Sequence, residues 1–405
     1  MKRIIILAFF YAVLSINLAM AGGYQVRLQN QRSSGIALIG TPFNLDASSI
    51  FYNPGALSMF EGKVSLSGGI NVIFPYAAFQ QDYSTQTYQN KDMPGFPFYF
   101  YGAIKILPKF TAGIGIYTPY GSSLKWPNQW IGKNLVQKIA LSSVYIQPTL
   151  SYKITPNLGV GAGIIYAFGM FNIQRGLNYS PEAHVKLDGS TDNIGYNIGV
   201  WAKPHSKIKI GLNYRSKINM KVTDGDAKFY IPNSLYSLIP KENKFESEIP
   251  LPANLDLGVA YQINDKWLIA AEIDWVFWSS YKELTFKFEE APELLNQIAP
   301  REYIDILIPR LGVEYKVLEM LTLRTGLYYD QTPTNSNFFT PETVSLNTLG
   351  TTYGISFKPI NNLSIDFSYE QLYGFKSKKN YSPADFQGTY NTSVTSFGLG
   401  LSLKF

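Results

Sequence analysis

The residues of this chain that could do chemistry are few and lie far apart. The chain contains two histidines, His184 and His205, and no cysteine. A nucleophile needs a base within hydrogen-bond reach, and a metal needs several ligands held together. His184 falls in a long connection and His205 in a short turn, so we expect them at opposite ends of the molecule. The sequence therefore predicts no enzyme, no metal site and no cofactor.

Four basic residues in segments of alternating polarity could meet an anionic group: Lys207, Lys209, Arg215 and Arg324. Arginine can hold a carboxylate through two parallel hydrogen bonds, so Arg215 and Arg324 are the candidates for a carboxylate-binding site. The alternative is an ion pair with an acidic residue of the chain itself, such as Asp256 or Asp274.

The elements that must position these residues are strands with a two-residue repeat. In the segments 206–215, 255–263, 363–370 and 396–405, every second residue is apolar. The residues between them are glycine, serine, asparagine, lysine, arginine or aspartate, and the apolar set ends in tyrosine or phenylalanine. An apolar outer face bounded by aromatic residues, with a polar inner face, is the pattern of a transmembrane β-barrel.

The connections between these strands alternate in length. Short turns surround Pro156, Pro204, Asp265 and Asn361, and long connections lie near 119–138, 175–193, 220–250, 282–303, 331–347 and 374–393. Short periplasmic turns and long outer loops are typical of outer-membrane barrels, and no free sheet edge is tolerated in lipid. We therefore predict an all-β fold, an antiparallel transmembrane barrel of about fourteen strands. The terminal Phe405 resembles a signal for the outer-membrane assembly machinery.

The first residues and the composition agree with export to this membrane. Lys2 and Arg3 precede the apolar run 4–18, and Ala19-Met20-Ala21 offers a cleavage site, so residues 1–21 are a predicted signal peptide. Aromatic residues make up 15% of the chain and charged residues 16%, below the ~25% charged residues of soluble domains.

The net charge of the chain is small. The formal value is +6, part of it from the signal peptide, and the basic residues are spread along the sequence. Such an excess predicts neither nucleic-acid binding nor a basic patch on a membrane surface. The expected surroundings are outer-membrane lipid, with the chain as a monomer.

Residues 22–60 precede the first strand and lack its alternation, whereas residues 61–405 form the predicted barrel. A lumen of fourteen strands is wider than side chains alone can fill, since the limit is about eight strands. The N-terminal stretch is therefore predicted to fold inward as a hatch. A disordered tail is the alternative, which apolar residues such as Ile36, Phe43 and Phe51 disfavour.

Two long loops carry more apolar residues than solvent-facing loops usually do. Candidates for an apolar groove between them are Ile231, Leu235, Leu238, Ile239, Leu294, Leu295 and Ile298. Such a cluster binds an apolar molecule or packs against itself as two loop helices, and a groove lined by packed helices would satisfy both.

The third predicted strand contains a possible kink. Gly113 and Gly115 lie before Pro119, and glycine in a strand marks a bulge while proline removes a ladder donor. We hypothesise imperfect pairing and a gap in the wall near 113–119. An ordinary strand end with a turn proline is the alternative.

Several short motifs, in order along the whole mature chain, resemble the outer-membrane long-chain fatty-acid transporters of the FadL family. They are Gly23-Tyr24-Gln25, Asp46-Ala47-Ser48, Asn53-Pro54, the segment 211–216, Leu251-Pro252-Ala253, Asp274-Trp275, Arg310-Leu311-Gly312, the segment 323–330 and Leu403-Lys404-Phe405. The resemblance makes Asp46, Asn53, Pro54 and Gly55 a hatch motif, with Gly55 standing where the family usually has alanine. It implies a fourteen-stranded barrel with a hatch, an outer apolar groove, an inner acyl pocket and a lateral exit at a strand kink.

The function that follows is passive uptake of hydrophobic small molecules, with long-chain fatty acids first among them. No energy-coupling motif is visible in the sequence. The alternatives are a porin for polar solutes, which would have an acidic constriction loop and an open lumen, and a non-transporting adhesin or receptor whose loops bind a partner. Fold alone does not decide among them.

Overall fold

The computed structural model describes residues 23–91 and 93–405. The predicted signal peptide, residues 1–21, lies outside the described residues. No helix in the described ranges is long and apolar enough to cross a membrane.

Fourteen antiparallel strands form a closed barrel, as predicted. The wall strands are β1 (Val64–Gln81), β2 (Phe98–Lys105), β3 (Phe110–Tyr117, continued by Gly121–Lys125), β4 (Lys138–Thr155), β5 (Leu158–Gly176), β6 (His184–His205), β7 (Ile208–Arg215, continued by Ile218–Tyr230), β8 (Glu242–Leu251, continued by Asn254–Gln262), β9 (Trp267–Val276), β10 (Ile306–Leu318), β11 (Leu321–Asp330), β12 (Thr348–Ile360), β13 (Leu363–Gly374) and β14 (Phe386–Lys404). Each strand pairs with the next, and β1 closes on β14 from Ser65↔Lys404 to Gln81↔Gly388.

Shorter elements lie in the connections and in the N-terminal segment. The short strands are Thr87–Gln89, Glu283–Phe288, Gln297–Pro300 and Ser377–Tyr381. The helices are α1 (Gln31–Ser34), α2 (Ser49–Tyr52) and α3 (Pro292–Leu295), with 3-10 turns at Pro54–Met59, Asn233–Leu235, Trp278–Ser280 and Ser382–Ala384.

The two faces of the wall follow the predicted alternation. Along β8, Leu257 and Val259 are 49% and 41% exposed, whereas Asp256 and Ala260, on the other face, are buried. An apolar residue with no protein neighbour on the outer face of a barrel meets lipid. The outward face is therefore the lipid-facing one, and the polar residues face the lumen.

Several strands continue well past the predicted ends, on the side of the long loops. The connection expected at 220–250 is largely strand, because β7 runs to Tyr230 and β8 begins at Glu242. The connection expected at 175–193 is likewise shortened by β5 and β6. Ladder hydrogen bonds satisfy the backbone of these extensions, which the polar sequence of the segments did not reveal.

Residues 23–60, which we call the hatch, lie within the lumen, and most of their side chains are buried. Small wall residues make room for the hatch backbone. A Cβ atom on Gly211 would overlap the carbonyl oxygen of Thr41, and one on Gly161 would overlap that of Pro54. Because the wall approaches the hatch backbone this closely, the hatch fills the lumen at the level of these glycines.

Candidate functional site

Strand β3 is interrupted at residues 118–120, and the start of the hatch covers the interruption. The backbone N–H of Val26 donates to the carbonyl oxygen of Pro119 at 2.7 Å, and that of Gly121 donates to Tyr24 at 2.8 Å. Beyond the interruption β3 pairs with β4 only. The N-terminal segment therefore takes hydrogen bonds that a neighbouring wall strand would otherwise supply.

The irregular pairing expected around Gly113 and Gly115 is wrong, and the break begins three residues beyond Gly115. Gly113 pairs with Ala103 of β2 and Thr149 of β4 in unbroken ladders, and Gly115 continues the same register. Glycine is needed at position 113 for another reason. A Cβ atom there would lie 2.8 Å from Cδ1 of Ile50, so the glycine makes room for this hatch residue. Pro119 does lie in the interruption.

An apolar cavity of about 40 Å³ lies beside the interruption. Its lining includes Tyr24 from the hatch, Tyr120, Phe171, Met220 and Leu251. Tyr24 is held in place by a hydrogen bond from its hydroxyl to Pro250 and an edge contact with Trp278, whose ring centroid lies 4.8 Å away. This volume is far below the roughly 300–1,000 Å³ of ligand pockets. The conformation is therefore closed, and a larger ligand needs the hatch to move.

Arg215 is buried and holds hatch and wall together. Its guanidinium donates to the hydroxyl of Tyr117 at 2.8 Å and to the carbonyl oxygen of Phe51 at 2.7 Å, and it lies 4.4 Å from the centre of the Phe51 ring. Within the described ranges it forms no ion pair with a carboxylate. Packed rings of Tyr117, Tyr145 and Tyr120 lead from it to the apolar cavity.

Arg324 lies elsewhere and is already paired. Its Nε donates to Glu314 at 2.6 Å, and Arg32 of the hatch donates to the same carboxylate at 3.1 Å. Burial alone would lower the pKa of Arg32, but Glu314 outweighs that effect and raises it. The two arginines that were candidates for binding a carboxylate therefore lie in different places. Arg324 already has an ion-pair partner within the chain, Glu314, as the alternative interpretation expected.

The four hatch-motif residues support the hatch turns. Asp46 accepts from the backbone of Ser48 at 2.7 Å and from the hydroxyl of Ser402 in β14 at 2.9 Å. Asn53 caps the 3-10 turn by accepting from the N–H of Gly55 at 2.9 Å, and its amide donates to wall and hatch carbonyls. Pro54 begins that turn. A Cβ on Gly55 would lie 2.6 Å from the carbonyl oxygen of Gly199, so the glycine fits the wall.

Arg27 joins the hatch to three wall carboxylates in the centre of the barrel. Its guanidinium lies 2.8 Å from Asp256, 2.5 Å from Glu272 and 3.1 Å from Asp274, and all four side chains are at most 5% exposed. Burial alone would lower the pKa of Arg27, but the three carboxylates outweigh it and raise the pKa well above its usual value. Sequence reasoning noticed Asp256 and Asp274 but missed Arg27, whose partners are more than 200 residues away.

The loop candidates divide into two sets. Ile231 and Ile239 are buried, and Leu235 and Leu295 pack partly against the core. The exposed members are Leu238, Leu294 and Ile298, with 61%, 61% and 67% exposure. In place of two loop helices, these segments contain one 3-10 turn and one four-residue helix.

The two histidines are the first and last residues of β6. At about 3.3 Å per residue, a strand of this length separates them by roughly 70 Å. They cannot act on one substrate.

The basic residues gather at the periplasmic mouth, the end of the barrel with the short turns. All wall strands except β5, β8, β11 and β13 carry a lysine at or next to this end, in the register that faces the lumen. These residues, which we call the lysine ring, are Lys63, Lys105, Lys109, Lys153, Lys203, Lys207, Lys209, Lys266, Lys316, Lys358 and Lys404. The sequence shows these lysines only as scattered along the chain, and strand pairing brings them to one level on the lumen side.

A polar cavity of about 670 Å³ opens at this mouth. The hatch contributes Arg32 and Asp46 to its lining, and the lysine ring contributes Lys266, Lys316, Lys358 and Lys404.

Comparison with known proteins gives matches along almost the whole chain. The family model described as "Outer membrane protein transport protein (OMPP1/FadL/TodX)" matches residues 12–405. Outer membrane protein P1 of Haemophilus influenzae is 25% identical, over 88% of this chain and 87% of that protein. A long-chain fatty acid transport protein of Escherichia coli is 20% identical, over 89% of each chain.

Solved structures share the fold. A FadL homologue of Pseudomonas aeruginosa superposes with a TM-score of 0.83 at 20% identity, covering 95% of this chain and 100% of that one. The toluene transporter TodX of Pseudomonas putida has a TM-score of 0.72 at 16% identity, covering 96% and 99%.

Proposed function

The chain belongs to the OMPP1/FadL/TodX family of outer-membrane transporters for hydrophobic compounds, and we propose that its own substrates are long-chain fatty acids, taken up passively. The family consists of transport channels and not of enzymes. Among similar proteins, one is named a long-chain fatty acid transport protein and another a toluene transporter, so both substrate classes enter the test.

The observation that carries the proposal is the apolar cavity beside the interruption of β3, closed by the hatch. Tyr24 is both a lining residue of the cavity and part of the segment that bonds to β3. Withdrawal of this one segment would enlarge the cavity and free the backbone of residues 119–121 at the same time. In lipid such a free backbone is tolerated only beside a cavity lined by protein or water.

The proposed path follows from this coupling. A hydrophobic molecule lands on the exposed apolar residues of the outer loops, Leu238, Leu294 and Ile298, and moves to the cavity. When the hatch segment leaves β3, the molecule passes sideways through the wall near Pro119 into the membrane. This route keeps an apolar substrate out of the periplasmic water.

Arg215 is the proposed contact for a carboxylate on this path. It is buried, it bonds to uncharged partners only within the described part of the chain, and aromatic rings connect it to the cavity. A buried charge without a counter-ion is costly, and an incoming carboxylate would supply one through charge-assisted hydrogen bonds.

The proposal also covers the three segments of the chain and the machinery and lipid that the chain meets. Residues 1–21 act as a signal peptide cleaved after Ala21, residues 22–60 as the hatch and residues 61–405 as the barrel. The assembly machinery recognises the C-terminal strand β14 together with Phe405, which follows it, and the barrel works as a monomer surrounded by outer-membrane lipid.

The experiment is uptake by cells that lack their own long-chain fatty-acid transporter and express this chain. We expect uptake of labelled oleate above the empty-vector level and co-purification of fatty acid, identified by mass spectrometry. Uptake of toluene without oleate would contradict the fatty-acid assignment. Rapid swelling of proteoliposomes in polar solutes without oleate uptake would indicate a porin, and neither activity would indicate an adhesin or receptor.

A further inference from the structure

The lysine ring contains like charges that face one another directly. Neighbouring strands bring together Lys63 and Lys105, whose backbones share a hydrogen bond of 2.9 Å. The backbone of Lys316 donates to Lys266 at 2.8 Å in the same way. Lys109 and Lys153 form a third such pair. Like charges placed opposite each other across strands destabilise a sheet. Three such pairs at one level therefore cost stability unless an anion lies among them.

Five carboxylates line the cavity with six cationic side chains, which leaves a formal excess of one positive charge: Asp46, Asp265, Glu314, Glu319 and Asp366. Glu314 is shared by Arg32 and Arg324, and Asp366 accepts from the hydroxyls of Ser356 and Ser364. Asp46 accepts from Ser48 and Ser402. The hydrogen bonds of Glu314, Asp366 and Asp46 go to these groups and not to lysines, so the lysine ammonium groups can still bind a further anion.

Few members of the ring have an anionic partner. In residues 23–91 and 93–405, one lysine of the ring forms an ion pair: Lys316 lies 2.6 Å from Glu319. Three other lysines donate to uncharged oxygen atoms of the hatch: Lys105 to Phe60 at 2.5 Å, Lys209 to Asn44 at 3.0 Å and Lys404 to Leu45 at 2.8 Å. Such oxygens can be exchanged for an anion, which makes stronger, charge-assisted bonds.

The cavity lined by four lysines of the ring has the size of a small-molecule site. Its volume is about 670 Å³, within the range of roughly 300–1,000 Å³ for ligand pockets. Four ring lysines line this cavity, Lys266, Lys316, Lys358 and Lys404, and the lumen-facing register of the ring points away from the surrounding lipid. A small anion fits this arrangement better than the head groups of the lipid bilayer outside.

We propose that the periplasmic mouth is a binding site for the anionic head of a small molecule, a carboxylate or a phosphate. The ligand would lie between Lys266 and Lys316 on one side and Lys358 and Lys404 on the other, below Arg32 of the hatch. Two sources offer this chemistry, an acyl carboxylate that enters the mouth and a soluble phosphate of the periplasm. The site is separate from the uptake path proposed above and does not depend on it.

The test is protection of lysines from acylation in the full-length mature protein in detergent. Octanoate, octanol and inorganic phosphate are titrated, and the acylation rate of each lysine is followed by mass spectrometry. A ligand at ten times its dissociation constant leaves the site free about one tenth of the time, so acylation of Lys266 and Lys358 should slow about tenfold. The exposed extracellular lysines Lys221 and Lys228 serve as internal controls.

Protection by octanoate and not by octanol supports the site and assigns it to acyl carboxylates. Equal protection by inorganic phosphate also supports it and assigns it to small anions in general. Protection by octanol to the same extent, or protection by no anion, would overturn the proposal. Because acylation is measured without transport, its failure is distinguishable from failure of oleate uptake.

A double variant checks the assignment to these lysines. Lys266→Gln with Lys358→Gln should raise the octanoate concentration that half-protects Lys404 by about tenfold or more, since each replacement removes charge-assisted hydrogen bonds to the anion. The matched control is Lys221→Gln with Lys228→Gln, which removes two extracellular lysines and should change nothing. A heat-dependent shift in gel mobility shows that each variant is folded. Unchanged half-protection in the folded ring variant would contradict the site.

Discussion

The backbone N–H of Val26 donates a 2.7 Å hydrogen bond to the carbonyl oxygen of Pro119, which joins the hatch to the wall at the interruption of β3. Gln25 and Tyr120 form an isolated antiparallel bridge at the same place. One short segment therefore completes the sheet and also closes the apolar cavity.

Locking this segment to β3 should stop uptake. The native chain has no cysteine, and bridge partners such as Gln25 and Tyr120 have Cα atoms within the ~4.4–6.8 Å that a disulfide spans. The variant Gln25→Cys with Tyr120→Cys should lose labelled-oleate uptake when oxidised and regain it with reductant. The control is Ile116→Cys with Ile146→Cys, which joins strands that are already paired. Undiminished uptake by the fully oxidised variant would exclude the lateral route.

Replacing Arg27 should destabilise the barrel strongly. Arg27→Met leaves Asp256, Glu272 and Asp274 buried without their main cation, and loss of one partner of a buried pair costs about 3–5 kcal/mol. The free energy of unfolding, measured with urea in lipid vesicles, should fall by about 3–5 kcal/mol. Arg32→Met is the control, since that side chain is 31% exposed and Glu314 keeps Arg324; equal losses in the two variants would refute the argument.

A single methyl group on the wall should displace the hatch. In Gly211→Ala the new Cβ would overlap the carbonyl oxygen of Thr41, and overpacking costs about 1–3 kcal/mol. Planar-bilayer recordings should show more frequent and larger openings than the wild type. Gly102→Ala is the control, because its Cβ would meet its nearest neighbour, Leu66, at an ordinary 3.4 Å. A silent Gly211→Ala channel would mean that the hatch does not occlude the lumen there.

Removing the charge of Arg215 should reduce uptake of a charged substrate more than uptake of an uncharged one. We expect Arg215→Met to reduce oleate uptake by roughly tenfold or more, the effect of losing one charge-assisted hydrogen bond, and to leave uptake of uncharged toluene near the wild-type level. Rates are scaled to the amount of heat-modifiable protein in the membrane. If oleate and toluene uptake fall together, Arg215 acts by holding Phe51 and Tyr117 and not by binding a carboxylate.

Local patterns in the sequence predicted the barrel well, because lipid and lumen impose a two-residue repeat that each strand shows separately. The segment 255–263 reveals both faces of β8 without knowledge of its neighbours. Strand ends were harder to predict, since the outer parts of β7 and β8 leave the lipid and lose the strong apolar alternation. Gly113 shows a related limit of prediction from the sequence. This glycine makes room for Ile50 of the hatch, which is distant in sequence, and does not mark a bend in its own strand.

The sequence by itself predicted an export signal, and it determined the strand repeat and the presence of an N-terminal segment too apolar to remain a tail. Only the tertiary structure decided which distant charges meet, because closure of the barrel sets their register. It gave Arg27 three carboxylates, gave Arg324 a partner in Glu314 and left Arg215 with uncharged ones. It also turned lysines scattered along the chain into one ring, since antiparallel strands joined by short turns return to the same level of the membrane at every second crossing.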